Sequence, residues 1–179
     1  MRVISGKYRS RRLKTLAGLM TRPTLDKVKG AVFNHLGDLR SKSFLDLFCG
    51  CGNIGIEALS REAQKVVFND SDQQAIKILK ENLNSLKVAE DRYSIFRSSY
   101  VDLLASCTEL FDIIYLDPPF DSALFLSCLQ LIKEHNILKP AGEIVCESEM
   151  AEELENPWFR TEKVVQYGRI KISYFINEI

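Results

Sequence analysis

The stretch Asp46-Leu47-Phe48-Cys49-Gly50-Cys51-Gly52-Asn53-Ile54-Gly55 decides how this 179-residue chain is read. It grows out of the apolar run Phe44–Phe48, which reads as a strand, and leads into a helical stretch through Ile56, Ala58 and Leu59. Gly50, Gly52 and Gly55 have G-x-G-x-x-G spacing. Such glycines let a chain turn sharply and bring its backbone against a ligand with no Cβ in the way. The triplet alone is weak, because it occurs by chance; its place between strand and helix gives it weight.

Outward from this loop the chain alternates strand and helix. Val66–Phe68, Ser94–Phe96, Asp112–Leu116 and Glu143–Glu147 read as further strands, with helices over Ser71–Leu86, Val101–Ala105 and Leu124–His135 between them. Lys139–Gly142 reads as a turn, and Thr161–Gln166 with Lys171–Ile176 as a closing hairpin. Continuous apolar strands alternating with helices predict an α/β, Rossmann-like fold: a mostly parallel sheet covered on both faces. Right-handed crossovers then place ligands at the carboxyl ends of the strands. Thr24 caps a predicted helix from Leu25 to Leu39, apolar on one face; Gly30 inside it has no evident reason.

Two acids stand at such carboxyl ends. Asp46 lies just before the glycines, and Asp70 follows the second strand, 15 residues after Gly55. An acid in that position accepts hydrogen bonds from both hydroxyls of a ribose. Lys and Arg are absent from Asp46 through Ser60, and no Walker A lysine follows the loop. A phosphate-rich cofactor is poorly served there. A cationic, phosphate-free, ribose-bearing one is well served, and S-adenosylmethionine has that chemistry.

Asp117-Pro118-Pro119-Phe120 directly follows the fourth predicted strand. Prolines remove backbone donors and leave carbonyls free to accept. The Asp117 carboxylate and Pro118 carbonyl form an acceptor pair suited to the two hydrogens of a planar amine. Phe120 can stack on the ring that carries it. Holding those hydrogens favours a pyramidal nitrogen whose lone pair faces a methyl donor, which is catalysis by positioning and electrostatics.

Charge is unevenly spread. Residues 1–42 hold 11 Lys and Arg against Asp26 and Asp38, while residues 43–179 hold 13 against 22 Asp and Glu. The halves cancel to zero net charge. Arg2–Ile4 and Leu13–Thr15 predict a hairpin or arm around a basic turn, and a positive arm on an acidic body points to a polyanionic partner. Composition, 46% hydrophobic and 27% charged, excludes wholesale disorder. No apolar run approaches the ~20 residues of a membrane span, and the start lacks a secretory signal. The five cysteines form no C-x-x-C pair and match no zinc template; Cys107, Cys128 and Cys146 read as core filler in a reduced, cytoplasmic chain.

The glycine loop, the acid after the second strand and D-P-P-F after the fourth together resemble class I S-adenosylmethionine-dependent methyltransferases that modify exocyclic amines. The opening R-V-I-S-G-K-Y-R-S-R-R-L-K, the segment T-R-P-T-L-D-K-V-K-G-A-V-F-N, G-I-E-A-L-S-R at 55–61 and C-E-S-E at 146–149 are similar to the bacterial 16S ribosomal-RNA guanine-N2 methyltransferase family. That resemblance covers essentially the whole chain. It implies a single domain with a basic arm over residues 1–23, and a seven-strand sheet whose last strand runs antiparallel. The implied reaction moves a methyl group to N2 of a guanine in 16S rRNA, within an assembled or assembling small subunit, by a monomer that uses no metal. Cofactor contacts would come from Asp46, Phe48, Cys49, Gly50, Gly52, Asn53 and Gly55, with Asp70 and Ser71 at the ribose. Ser99, where the family often has Asp or Asn, or Tyr100 would reach the adenine. Asp117, Pro118, Pro119 and Phe120 would hold the target base. RNA would meet Arg2, Lys7, Tyr8, Arg9, Arg11, Arg12 and Lys14, with Arg22 and Thr24 placing a phosphate or the flipped nucleotide.

Other readings share the motifs. Methyltransferases acting on a DNA adenine or cytosine amine, or on a protein glutamine amide, use a similar acceptor site, though this chain has no inserted target-recognition domain. A basic RNA-binding module on a relic Rossmann fold would instead carry decayed motifs, whereas here the glycines, Asp70 and D-P-P-F all stand.

Overall fold

Proline tolerates the first turn of a helix, where its missing N–H would have no partner, and α1 (Pro23–Leu36) begins on one. It stops three residues before the expected Leu39, because Gly37 takes a left-handed φ of +66° and turns the chain away. The computed structural model describes residues 1–16, 23–118, 122–148 and 156–178, with no side chain described for 23–25 or 122.

The glycine-loop region builds β1 (Ser43–Asp46) and α2 (Asn53–Ser60). Leu47 and Phe48, expected in the strand, already belong to the turn that leaves it. Then come β2 (Lys65–Asn69), α3 (Gln73–Ser85), β3 (Tyr93–Phe96), α4 (Tyr100–Ser106), β4 (Phe111–Leu116) and α5 (Ser122–Glu134). The chain closes with β5 (Leu138–Ser148), β6 (Arg160–Tyr167) and β7 (Ile170–Ile176). The expected Lys139–Gly142 turn lies inside β5. Pairing with β4 slips register between Phe111 and Ile113, Ala141 takes φ +56°, and Ala141 and Gly142 bond to Asn177. The turn-forming residues therefore make a bulge within a strand.

Among the described residues, seven strands form one sheet in the order β3-β2-β1-β4-β5-β7-β6. The first five are parallel, and β7 runs antiparallel to both β5 and β6. Gly168, at φ +64°, opens the two-residue β6–β7 turn. The core is split by the sheet. On one face Val28, Val32 and Phe33 of α1, Ile56 and Leu59 of α2, and Leu79 and Leu83 of α3 pack with Val3 and Leu13. On the other, Leu103 and Leu104 of α4 join Phe125, Leu129 and Ile132 of α5. Cys128 and Cys146 are buried in that second core as free thiols, while Cys107 is half-buried at its margin. No helix among the described residues is long and apolar enough to cross a membrane.

Candidate active site and nucleic-acid interface

The parallel order reverses between β1 and β4, so β1 and β2 on one side and β4 on the other deliver their carboxyl ends to one place. The glycine loop sits there, held by both predicted acids. Asp46 is buried and its Oδ2 accepts the Gly55 N–H at 2.8 Å. Burial pushes its carboxyl up to about 7, against the pull of that hydrogen bond. Asp70 accepts the Gly50 N–H on Oδ2 at 2.8 Å and the Asp72 N–H on Oδ1 at 2.9 Å.

Each glycine has its own reason. A Cβ on Gly55 would sit 2.2 Å from the Phe68 ring, so glycine lets α2 press against β2. Gly52 begins the helix at φ +89°, and a Cβ there would meet Leu79 at 2.4 Å. Gly50 differs: φ is +51°, and a Cβ would find nothing within 4 Å. Open space on a left-handed turn beside Asp70 is what a bound nucleoside needs.

Beside the loop lies a cleft of about 490 Å³, lined by Phe48, Asn69, Asp70, Ser71, Ser98, Ser99, Tyr100, Asp117, Pro118 and Leu124. Asp70 and Asp117, 47 positions apart and on different strand ends, thus face one space. Among the described residues no Lys or Arg lines it. The ribose-and-sulfonium chemistry of S-adenosylmethionine fits: Asp70 keeps spare lone pairs for hydroxyls, and Phe48 and Tyr100, ring centres 5.9 Å apart, give an apolar wall. Ser99 is spent on capping α4, accepting the Asp102 N–H and donating to its carboxylate. The Tyr100 hydroxyl donates to Ser127.

Asp46, Cys49, Gly50, Gly52, Asn53 and Gly55 are not among the lining residues; Asp46 and Asn53 hold the loop from behind. Asn53 Oδ1 accepts from Lys29 Nζ at 2.8 Å. Burial raises the Cys49 thiol far above its ordinary range, which keeps it neutral filler. Pro119, Phe120 and Arg22 lie outside the described residues, as does the side chain of Thr24. Asn69, Ser98 and Leu124 line the cleft without having been singled out. Asn69 ties the loop together: its Nδ2 donates to the carbonyls of Leu47 and Ser98, its Oδ1 accepts the Ser98 hydroxyl, and its own carbonyl accepts the Cys49 N–H. An amide ending the apolar run Val66-Val67-Phe68 was the available signal, since buried amides must be satisfied.

The N-terminal hairpin forms, closed by an antiparallel bridge between Arg2 and Arg12. It is docked rather than loose. The Ile4 and Ser5 N–H groups donate to the buried Glu57 carboxylate at 2.7 and 3.0 Å, and Lys29 Nζ donates to the Arg2 carbonyl at 2.7 Å. Three of the basic side chains serve the protein: Arg2 pairs with Asp26, Lys14 with Glu81, and Arg11 donates to the Ser85 carbonyl. Lys7 lies over the half-buried Tyr8 ring. Arg9 and Arg12 are exposed, with no side-chain hydrogen bond or ion pair among the described residues.

A family model, described as Conserved hypothetical protein 95, matches residues 1–176. The chain belongs to that family. Within this conserved hypothetical protein 95 group, the chain is similar to a protein of Haemophilus influenzae named ribosomal RNA small subunit methyltransferase D. The two are 38% identical over 160 residues, or 88% of this chain and 83% of that protein. The Escherichia coli protein of the same name is 32% identical over 151 residues, covering 84% and 75%. Among solved structures, an Escherichia coli methyltransferase candidate superposes with a TM-score of 0.88 at 25% identity, covering 99% of this chain and 98% of that one. A methylase candidate from Haemophilus influenzae gives 0.85 at 33% identity, with the same coverage. The fold is that of the class I methyltransferases.

Proposed function

We propose that the protein transfers a methyl group from S-adenosylmethionine to the exocyclic N2 amine of a guanine in the 16S RNA of the small ribosomal subunit. The observation that carries this reading is the shared cleft, which Asp70, Asp117 and Pro118 line together and which no Lys or Arg lines among the described residues. The names of the relatives, ribosomal RNA small subunit methyltransferases, supply the substrate.

In this reading Asp70 takes the ribose hydroxyls, Phe48 and Tyr100 flank the cofactor, and Gly50 lets it approach the backbone. The cofactor supplies an electrophilic methyl carbon on a sulfonium. Asp117 Oδ and the Pro118 carbonyl accept the two amine hydrogens and aim the nitrogen lone pair at that carbon; Phe120 stacks on the base. The Asp117 carboxylate, which is exposed, would take the surplus N2 proton of the methylated amine and return it to solvent. Arg9 and Arg12 meet phosphates, and the pocket chooses the base. The work takes place in the cytoplasm, on an assembled or assembling subunit, by one domain with a fixed arm.

The test is methyl transfer to DNA, naked ribosomal RNA and small subunits, with the product nucleosides identified by mass spectrometry. The reading requires N2-methylguanosine from small-subunit RNA. Methylation of DNA alone, or N6-methyladenosine as the product, overturns it.

A further inference from the structure

The acidic body of the protein carries a basic strip of its own. Beyond residue 42 acids outnumber bases, and Arg61, Lys65, Lys139 and Arg160 each meet a carboxylate. The outer side of α3 is different. Gln73, Lys77, Lys80 and Asn84 are exposed. At about 100° per residue they fall within an arc of about 60° on one side of the helix. Lys87 follows past the helix end, exposed and turned out at φ +54°. Lys77, Lys80 and Lys87 have no side-chain hydrogen bond or ion pair among the described residues. No acid shares their arc. Glu81, one turn from Lys77, is engaged by Lys14 of the hairpin at 2.8 Å. Lys14 first, and Lys77 more weakly, hold that carboxyl below its usual value.

The strip joins both features already described. The hairpin lies along the adjoining side of α3: Arg11 donates to the Ser85 carbonyl at 3.0 Å. Buried Asn82 accepts the Lys14 N–H at 2.8 Å and donates to the Lys14 carbonyl at 3.0 Å. At the other end α3 is capped by Asp72, two residues after Asp70, and Arg97 donates to Gln73 Oε1 at 3.2 Å. Arg97 immediately precedes Ser98, which lines the cleft. A row of cations that begins beside the cleft and merges with the hairpin suits a polyanion laid along it.

We propose that Lys77, Lys80 and Lys87 form an RNA-binding track on α3, which neutralises phosphates of the substrate alongside Arg9 and Arg12. Lysine suits this work, because an ammonium on a flexible stem is a point charge that holds a backbone without reading its sequence. This rests on the RNA-methyltransferase reading and deepens it by setting where the backbone runs.

The test combines Lys77→Gln, Lys80→Gln and Lys87→Gln in the full chain and measures binding to naked 16S RNA and to small subunits across a salt series. Affinity at low salt falls about tenfold or more on both, and the slope of log affinity against log salt shrinks by about two to three. Cofactor affinity by calorimetry and urea unfolding match wild type. Lys163→Gln removes one exposed lysine from β6, at the opposite edge of the sheet from β3, and leaves the slope alone. An unchanged slope in the triple variant, or an equal drop per charge in Lys163→Gln, overturns the assignment. A loss seen with subunits and absent with naked RNA overturns it too, since the strip would then meet a ribosomal protein. Wild type that forms no N2-methylguanosine fells the parent reading, an outcome separate from these slopes.

Discussion

Lys29 Nζ lies 3.3 Å from Glu57 Oε2, with the two side chains 2% and 0% exposed. The pair joins three parts of the molecule. Glu57 belongs to α2 behind the glycine loop and accepts from Ile4, Ser5 and Arg61. Lys29 belongs to α1 and also holds the Arg2 carbonyl and Asn53. Burial lowers the Lys29 pKa, and the neighbouring Glu57 charge works to restore it. Removing Lys29 leaves Glu57 with the Arg61 guanidinium and the Ile4 and Ser5 N–H groups, and takes one donor each from the Arg2 carbonyl and Asn53. Lys29→Met should therefore cost about 1–3 kcal/mol in urea unfolding. Lys29→Met with Glu57→Gln should recover part of that loss; a double variant as unstable as the single one would contradict the account.

Gly55→Ala should be nearly as damaging for a different reason. Its new Cβ would fall 2.2 Å from the Phe68 ring, which belongs to a strand and has nowhere to retreat. Overpacking of this kind costs about 1–3 kcal/mol. The displaced α2 should also weaken S-adenosylmethionine binding, read by calorimetry.

The sheet and its order of elements were legible because apolar runs and helical periodicity are local properties of the chain. The meeting of Asp70, Asp117 and Pro118 at one cleft was legible because apolar runs show where strands end. What stayed hidden depends on tertiary pairing. The Lys139–Gly142 bulge looks like a turn until Phe111 and Asn177 are beside it. Lys29 reads as one more basic residue of a positive segment, yet it is buried under the hairpin, and Arg2, Arg11 and Lys14 are bound to the body of the protein. Charge counts give sign and amount, not direction.

Asp46→Asn should alter how stability varies with pH. The folded carboxyl titrates at about 7, against an ordinary value of 3.8. Between those values the folded chain keeps a proton that the unfolded chain has released, so this group's contribution to stability falls as pH rises from about 4 through 7. Asparagine preserves an acceptor for the Gly55 N–H and removes the titration. Urea unfolding at pH 5 and pH 8 should show a smaller decline for the variant than for wild type.

Asp117→Ala should leave cofactor affinity nearly intact and lower single-turnover methyl transfer by about 10²-fold or more, as expected when an interaction made in the transition state is removed. Equal losses of affinity and rate would place Asp117 with the cofactor instead.

Arg9→Ala with Arg12→Ala should not disturb the fold, since neither side chain is hydrogen-bonded or ion-paired among the described residues. RNA affinity should fall at low salt, and the slope of log affinity against log salt should drop by about one for each phosphate that is no longer neutralised. A slope equal to that of wild type would remove these residues from the interface.

The docking of the hairpin has a mechanical consequence. Gly6 stands at φ +81°, and a Cβ there would lie 1.9 Å from the Ser60 carbonyl oxygen, while the Lys7 N–H bonds that same oxygen at 2.8 Å. At Gly6 main chain rests directly on main chain, and on either side the Glu57 carboxylate and the Ser60 hydroxyl pin the hairpin's backbone. The loop bearing Arg9 is therefore a caliper jaw rather than a tether: the span from its tip to the glycine loop is a set length, and on the proposed reading a nucleic acid would have to match that gauge to touch both at once.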